Sequence, residues 1–562
     1  MLSYRKLAMR VLGRPLHTGG NDSPRPASQR AAALILTAAM LTTFTAPAFA
    51  GTWYIEDGNI TVKAGKTEGT NKVSQGETTD EKDTDTVITN RDKDTASSHT
   101  VTINANGKND KVEVTLKDVN IEANSGPALT SKGDVTLTLK GENHLTGGNG
   151  GRYGGSGITS NGSLTITGGE NDSLTAQGGS SADGGSGSYG GDGIGSSSGG
   201  LTISGGTVNA AGGSGSYGGS GIYSRGGLTI SGGTVTANGG GDGSNVRSGS
   251  GITSNGGVTI SGGTVNAAGG SGSYGGNGIY SRSSLTISGG TVNATGRDGK
   301  DGYGGGGIWS GSGGLTISGG TVTANGGNGG SGSYGGDGIG SIGGVAISGG
   351  TVTANGGNGG NGGNGGNGGN GGDGICSSGI DLSGSLELTA KAGSPSGRVL
   401  SQNGDELDLN TIKDKLGPGA KVTTTDANGK VNQVSIPRPV ESEKPVIPEE
   451  SSSSSDGGSA TPSAPASPLP GLTVTDKDGQ RISYTSTQSG NTLTVCVGRF
   501  TASFRISLAA LRQLRAEGIE TITFQTILCS TTLSVDELLA MGGEDAEAVL
   551  THRFTDSSLT VG

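Results

Sequence analysis

One phrase recurs through residues 150–376 and constrains the fold more than any other feature of the chain. It reads Gly-Ile-x-Ser, a short gap, Leu-Thr-Ile-Ser-Gly-Gly-Thr-Val-x-Ala, and then a glycine-rich run. The isoleucines that anchor successive copies are Ile158, Ile194, Ile222, Ile252, Ile279, Ile308, Ile339 and Ile375. A repeat of about 30 residues with insertions of unequal length predicts a solenoid of stacked coils.

Each copy contains three short segments with the alternation of a β-strand. Residues 201–203 alternate apolar, polar and apolar, as a half-buried strand does. Gly205 and Gly206 then predict a sharp turn, and residues 207–210 and 221–224 predict two further strands. Because no single coil can bury its inner face, the coils must stack as parallel strands roughly 4.8 Å apart. The sequence therefore predicts an all-β fold, a parallel β-helix solenoid.

The repeat also predicts which side chains point inward. Leu or Val opens each second strand and should form one inward column, and the isoleucines should form another. Serines lie two residues after the anchoring isoleucines, so they should also point inward and bond along the stack or to backbone at a corner. These serines are Ser224, Ser254, Ser281, Ser310 and Ser341. With 119 glycines in 562 residues and no 3.6-residue period, the repeats exclude helices.

Residues 1–50 resemble an export signal. Basic residues precede an apolar stretch over residues 31–44, and Ala48-Phe49-Ala50 matches an A-x-A cleavage site, which predicts cleavage after Ala50 and a secreted bacterial protein. The alternative is an uncleaved membrane anchor, since the apolar stretch approaches the length that spans a bilayer. Pro47 favours cleavage, and no stable membrane insertion is expected afterwards.

The net charge of -10 opposes nucleic-acid binding.

The less regular parts of the chain divide it into domains. The β-helix is predicted over residues 51–436, with atypical first coils that cap one end and a charged, solvated loop at 77–94. The Gly-Gly-Asn run at 356–372 is predicted to be a flexible, exposed loop.

The remaining residues have a different composition. Residues 437–470 are a linker rich in Pro, Glu and Ser. Residues 471–562 should form a small α+β domain with a helix over 507–517. Its cysteines Cys496 and Cys529 are candidates for a disulfide, or alternatively two buried thiols, whereas Cys376 should be unpaired.

The residues 53–58 (Trp-Tyr-Ile-Glu-Asp-Gly), the phrase at 128–148 and the Leu-Thr-Ile-Ser-Gly-Gly-Thr-Val repeats resemble a family of secreted proteins of gut Firmicutes. The resemblance covers residues 51–396. It implies a right-handed parallel β-helix of the pectate-lyase-like type, often described as carbohydrate-binding. These motifs consist of structural residues, so no functional residue carries over. The implied function is a surface or adhesive protein that binds polysaccharide or host glycans.

A column of tyrosines is the first candidate binding site. Each lies five residues before an anchoring isoleucine, with Arg247 and Asn370 at that position in two other copies. The tyrosines are Tyr153, Tyr189, Tyr217, Tyr274, Tyr303 and Tyr334. Aromatic rings pack against the apolar faces of sugars and phenol hydroxyls form hydrogen bonds. The alternative is that each ring clamps its glycine loop against the coil.

A second candidate lies on the outward position after the isoleucine. It holds Tyr223, Tyr280 and Trp309, of which the last two are on adjacent coils and should lie close together. Exposed rings without a role in the core favour ligand binding, and the alternatives are decoration and self-association.

Two further chemistries receive weaker support. Residues 368–375 match a calcium-binding G-G-x-G-x-D-x-U nonapeptide through Asp373, and Asp192 and Asp337 lie in near matches, but the repeat is too long for consecutive nonapeptides. A lyase or hydrolase needs grouped carboxylates, and we expect no two to share a column on adjacent coils. The sequence therefore predicts no catalytic residues and no cofactor. A structural spacer is the remaining alternative.

Overall fold

The computed structural model describes residues 51–437 except 68, 106, 108–109, 182–186, 242–246 and 363–367. It further describes residues 471–561 except 477–478, 483, 490, 498, 500, 527–529, 542–545 and 553–556. The chain separates into two compact units, Met1–Ser442 and Glu443–Gly562. The predicted signal peptide and nearly all of the predicted linker lie outside the described residues.

The first unit is a parallel β-solenoid of about 13 turns, built from three sheets that each receive one strand per coil. Sheet 1 contains Ile60–Ala64, Val101–Ala105, the start of Leu129–Lys140, Ile158–Asn161, Ile194–Ser198, Ile222–Ser224, Ile252–Ser254, Ile279–Ser281, Ile308–Ser310, Ile339–Ser341, Ile375–Ser377 and Leu400–Gln402. Sheet 2 contains Thr52–Tyr54, Val87–Thr89, Lys111–Lys117, the end of Leu129–Lys140, Leu164–Thr167, Leu201–Ile203, Leu228–Ile230, Val258–Ile260, Leu285–Ile287, Leu315–Ile317, Val345–Ile347 and Ile380–Leu382. Sheet 3 contains Asn120–Glu122, Glu142–Thr146, Ser173–Gln177, Thr207–Ala211, Thr234–Asn238, Thr264–Ala268, Thr291–Thr295, Thr321–Asn325, Thr351–Asn355, Glu387–Lys391 and Lys421–Thr425.

The register of these sheets confirms the predicted columns. Ile279 pairs with Ile252 on one side and Ile308 on the other, and all three are fully buried. Leu285 is likewise buried in the sheet 2 column. Because successive side chains alternate between the two faces of a strand, burial of Ile279 turns Tyr280 outward. The core is thus a continuous apolar column through the solenoid.

The inward serines close the corner between sheets 1 and 2. The hydroxyl of Ser254 donates to the carbonyl of Gly257 at 2.8 Å, and that of Ser281 donates to the carbonyl of Ser284 at 2.8 Å. Both serines are fully buried, so these bonds satisfy polar atoms that would otherwise destabilise the core. Of the two predicted roles, bonding to a corner carbonyl is the one that these residues perform.

Glycine-rich segments leave each coil after sheet 3 and return to sheet 1, and they form a hydrogen-bonded layer that we call the glycine layer. The amide of Gly326 donates to the carbonyl of Asn355 on the next coil at 2.8 Å. The amide of Gly327 donates to the carbonyl of Gly305 on the preceding coil at 2.8 Å, and the pair of bonds recurs three residues later. A Cβ at Gly327 would collide with the carbonyl of Arg297, so the close approach of these segments requires glycine.

The prediction of a flexible loop at 356–372 is therefore wrong for the described residues 356–362 and 368–372. The amide of Gly356 donates to the carbonyl of Lys391 at 2.8 Å, and that of Gly357 donates to the carbonyl of Gly336 at 2.8 Å. On the return, the amide of Gly372 donates to the carbonyl of Gly357 at 2.7 Å. Glycine composition alone indicates flexibility, but these backbone groups are paired with neighbouring coils.

Antiparallel segments and short helices add to both ends of the stack. At the start, Asn71–Gln75 pairs with Ile60–Ala64 and with Thr78–Asp83. The predicted solvated loop at 77–94 is wrong in part, because it contains Thr78–Asp83 and the solenoid strand Val87–Thr89, and Asp83 is buried. The Nε1 of Trp53 donates to that carboxylate at 2.9 Å, which explains how a charged segment is held in the fold. The other elements near the ends are the strands Asp405–Glu406 and Val431–Ser435 and the 3-10 helices Ile55–Asp57, Leu409–Thr411 and Lys413–Lys415.

In its described residues, the second unit has two four-stranded sheets and two helices. One sheet consists of Leu472–Thr475, Ala502–Ser507, Glu547–His552 and Ser557–Val561, and the other of Thr485–Ser489, Thr492–Cys496, Thr521–Gln525 and Ser530–Ser534. The helices are Leu508–Ala516 and Val535–Met541. The hydroxyl of Ser507 caps the first helix by accepting the amide of Ala510 at 3.2 Å.

Candidate functional site

The predicted tyrosine column exists as two stacks of exposed rings. Ring centroids lie 5.5 Å apart for Tyr153 and Tyr189, and 4.8 Å apart for Tyr189 and Tyr217, with planes inclined by only 12°. Beyond Arg247, the ring of Tyr303 lies 5.9 Å from that of Tyr274 and is tilted by 53° to it, whereas Tyr334 stacks on Tyr303 at 5.5 Å with planes inclined by 23°. Five of the six rings are 41–61% exposed, and Tyr217 is half-buried. We call the rings together with Arg247 the tyrosine ladder.

Stacking determines what the ladder can contact. In the near-parallel pairs, each ring covers the face of its neighbour, so solvent reaches mainly ring edges and hydroxyl groups. A Cβ at Gly302 would lie 2.7 Å from ring carbons of Tyr274, which places that ring against the glycine layer of the next coil. This packing agrees with the clamp interpretation of the tyrosines. Sugars cannot stack on ring faces that are already occupied.

Arg247 interrupts the ladder between its two stacks. Its backbone bridges Tyr217 on one coil and Tyr274 on the next, so it occupies the same register as the tyrosines. The side chain is exposed, and it forms no hydrogen bond or ion pair with any residue that the structure describes. One cation therefore lies between two stacks of aromatic rings.

The outward column of sheet 1 holds a different aromatic arrangement. Tyr223, Tyr280 and Trp309 are all half-buried. Tyr280 pairs directly with Trp309 in the sheet, although these two rings do not stack on one another. A Cβ at Gly340, the next residue in the column, would overlap the six-membered ring of the Trp309 indole. The indole therefore lies over Gly340, on a sheet surface that only glycine leaves free.

Tyr223 is fixed by a polar contact. Its hydroxyl accepts a hydrogen bond from Nδ2 of Asn255 on the next coil at 3.0 Å. Small residues flank it in the column, with Gly195 on one coil and Thr253 on the next. These rings lie among small neighbours rather than in a continuous stack. Of the two aromatic columns, the one on sheet 1 is the better suited to offer a ring face to a ligand.

Polar residues two positions before the anchoring isoleucines form a third column. The Oδ1 atom of Asp192 accepts the amide of Ser220 at 2.7 Å, and that of Asp337 accepts the amide of Asp373 at 2.8 Å. Asn277 does the same for Gly306 at 2.7 Å. The expectation that no two carboxylates share a column on adjacent coils is wrong, because Asp337 and Asp373 do. Each carboxyl group satisfies a backbone amide of the following coil.

Burial is the main cause of the raised pKa values of two carboxyl groups in this column. It raises the pKa of Asp192 from 3.8 to about 7, against the opposing effect of the hydrogen bond from Ser220. It also raises the pKa of Asp337 to about 7, where the bond from Asp373 opposes the shift and the charge of Asp373 adds to it. Burial, with the nearby Asp337 and Asp373, raises the pKa of the Cys376 thiol to about 12. A thiol in this state is not a nucleophile at neutral pH.

The calcium hypothesis finds no ligand set in the described part of the chain. Within it, no group of three or more His, Cys, Asp or Glu side chains is placed to hold a metal ion. The oxygens of Asp192, Asp337 and Asp373 that face the next coil already accept backbone amides. These carboxylates stabilise the stack.

The predicted pairing of Cys496 with Cys529 lies partly outside the described residues, since Cys529 is not among them. The thiol of Cys496 is half-buried and donates to Oε1 of Gln525 at 3.4 Å. None of the helices described is both long and apolar enough to cross a membrane.

Two features of the site were beyond sequence reasoning. The repeat places Gly340 in the same column as Trp309, but the position of the indole over this glycine is visible only in the structure. The exposure of the Arg247 side chain, which has no partner among the described residues, also cannot be inferred from its spacing. Comparison of the chain with protein-family models, with curated proteins and with solved structures finds no match.

Proposed function

We propose that the protein is an exported surface or binding protein that holds an extended glycan along the outer face of sheet 1. The observation that supports this most is the indole of Trp309, which lies over Gly340 and is only half-buried. A ring supported on one side by backbone offers its other side to a sugar, whose C–H face packs against aromatic surface. Residues 1–50 supply the export signal in this proposal.

Tyr280 and Tyr223 extend the surface along the solenoid. Tyr280 is the direct partner of Trp309, and Tyr223 lies two coils before Tyr280. At roughly 4.8 Å per coil, the three rings span about 14 Å, which suits several consecutive sugars of one chain. Each ring contributes little alone, so affinity comes from rings acting together on the same polymer.

A lyase or hydrolase on the same fold is the alternative function. It would need carboxylates that face the bound sugar, and Asp337 and Asp373 are a pair that shares a column on adjacent coils. Both are half-buried and hold backbone amides, so they are ill placed to act on a substrate. Binding without turnover is therefore the proposed activity.

A glycan array probed with the purified protein tests the proposal. We expect binding to neutral linear polysaccharides of plant or host origin, with no release of shorter products from a bound polymer on prolonged incubation. Product release would identify the protein as an enzyme. A complete lack of binding across neutral and charged glycans would favour a structural spacer.

A further inference from the structure

We propose that the tyrosine ladder is a second binding surface, centred on Arg247, for a linear anionic polysaccharide. It is separate from the aromatic column of sheet 1. Backbone bridges connect Tyr153, Tyr189, Tyr217, Arg247 and Tyr274 in turn, and Tyr303 and Tyr334 continue the same register. Seven consecutive coils at roughly 4.8 Å each give a row about 29 Å long. A surface of this shape fits an extended polymer better than a compact ligand.

The exposed parts of the ladder are electropositive or donate hydrogen bonds. In a stack of rings, the faces carry the negative part of the quadrupole and the edges carry the positive part. Stacking of Tyr189 between Tyr153 and Tyr217 covers the faces and leaves edges and hydroxyls outward. Such a row repels no anion and can donate a hydrogen bond at every tyrosine.

Arg247 supplies the charge at the centre of the row. Its guanidinium is exposed and is not paired with any residue that the structure describes. A guanidinium binds carboxylate or sulfate groups through two parallel hydrogen bonds. At one end, the guanidinium of Arg152 lies 5.6 Å from the ring centre of Tyr153 and adds a second cation to the same row.

Two of the described carboxylates near the ladder are engaged by other groups. Asp298 and Asp301 lie on the glycine segment that precedes Tyr303. The Oδ1 atom of Asp298 accepts the amide of Asn328 at 2.6 Å, and Oδ2 of Asp301 accepts the hydroxyl of Ser273 at 3.4 Å. The repulsion that these groups add is confined to one coil near one end of the row. Arg247 lies two coils away from it.

Dextran, carboxymethyl dextran and dextran sulfate test the proposal, because they share a backbone and differ in charge. Binding of the full-length protein to each is measured by calorimetry at physiological ionic strength. We expect binding to both charged polymers and none to dextran at this site. Arg247→Tyr restores the residue found in the other coils and removes the charge, so the ladder should remain stacked. It should weaken binding of both charged polymers on the order of tenfold, the cost of one charge-assisted contact.

Two controls keep this site distinct from the one on sheet 1. Arg225→Ala removes an exposed cation from another part of the coil and should leave binding unchanged. Tyr280→Ala/Trp309→Ala should also leave it unchanged, while it abolishes the neutral glycan binding proposed above. The proposal is overturned if Arg247→Tyr binds the charged polymers as well as the wild type does. It is also overturned if dextran binds the Tyr280→Ala/Trp309→Ala variant as well as the charged polymers do, or if single-stranded DNA competes as effectively as dextran sulfate.

Discussion

The indole ring of Trp309 lies over Gly340, its neighbour one coil further along sheet 1. This pairing places a large aromatic surface on the outside of a solenoid whose core consists of aliphatic columns. The glycine is required by the ring rather than by its own backbone, because no turn and no positive φ is involved at residue 340. The same contact that positions the Trp309 side chain therefore also shapes the surface proposed to bind glycan.

Gly340→Ala should displace the indole. The new methyl group would occupy the position of the six-membered ring, and the half-exposed side chain can swing away at a cost of about 1 kcal/mol or less. In a Trp53→Phe background, which leaves Trp309 as the sole tryptophan, emission should shift to the red. Gly379→Ala is the matched control, because a Cβ there meets nothing within 4 Å. Unchanged emission in Gly340→Ala would show that the ring does not lie on Gly340.

Ile279→Ala and Tyr280→Ala test the register of sheet 1. Ile279 is fully buried, so its truncation should lower the free energy of unfolding by about 2–5 kcal/mol through lost burial and a cavity. Tyr280 faces outward, so Tyr280→Ala should lower the free energy of unfolding by about 1 kcal/mol or less. Urea denaturation ranks the two variants. The opposite ranking would mean that the strand is shifted by one residue.

Asp337→Asn should make the protein more stable at alkaline pH. The pKa of Asp337 is raised from 3.8 to about 7, so the folded state binds more protons than the unfolded state across that range. Stability should therefore fall as the pH rises from about 4 to about 7. Because the side chain is only half-buried, the fall should be smaller than full desolvation would give.

Asparagine keeps the acceptor for the amide of Asp373, as Asn277 does for Gly306. The variant should thus show a smaller fall in melting temperature over this range, and Asp192→Asn should behave alike. Melting curves at pH 5 and pH 8 check both variants. A pH dependence identical to that of the wild type would contradict the assignment.

Removal of one whole coil should leave the protein folded. Deletion of residues 228–257 takes out one strand from each sheet and joins Gly227 to Val258, the position equivalent to Leu228. Because each coil contacts mainly its neighbours, the shortened stack should keep a cooperative transition at lower stability. Deletion of residues 228–240 is the control, because it breaks the coil and should abolish that transition. Loss of cooperativity in both deletions would argue against one coil per repeat.

The sequence was sufficient for the parallel coils, their inward columns and the corner serines. Strand periodicity and a fixed repeat determine these features, since each inward residue such as Ile279 recurs in register. The sequence was insufficient to predict the glycine layer. The amides of Gly326 and Gly327 bond to two different coils, and partners of this kind follow from three-dimensional stacking rather than from composition.

The candidate sites were predictable as columns but not in their geometry. Spacing places Tyr189 and Tyr217 in one row, yet it does not reveal that their stacked rings cover one another's faces. The spacing also places Asp337 and Asp373 two residues before the isoleucines of consecutive copies, so their position as neighbours could have been predicted from the register. That their carboxyl groups hold backbone amides of the following coil follows only from the structure.

The most direct measurement of the central proposal is a titration of Trp309 fluorescence with a neutral polysaccharide selected on the array. In a Trp53→Phe background, the wild-type surface should give a saturable change in emission. Trp309→Phe retains a ring and should bind more weakly, as measured by calorimetry, whereas Tyr280→Ala/Trp309→Ala should not bind detectably. Tyr153→Ala, a change in the separate ladder, should bind as the wild type does. Equal affinity in the wild type and the Tyr280→Ala/Trp309→Ala variant would contradict the assignment of sheet 1 as the glycan-binding face.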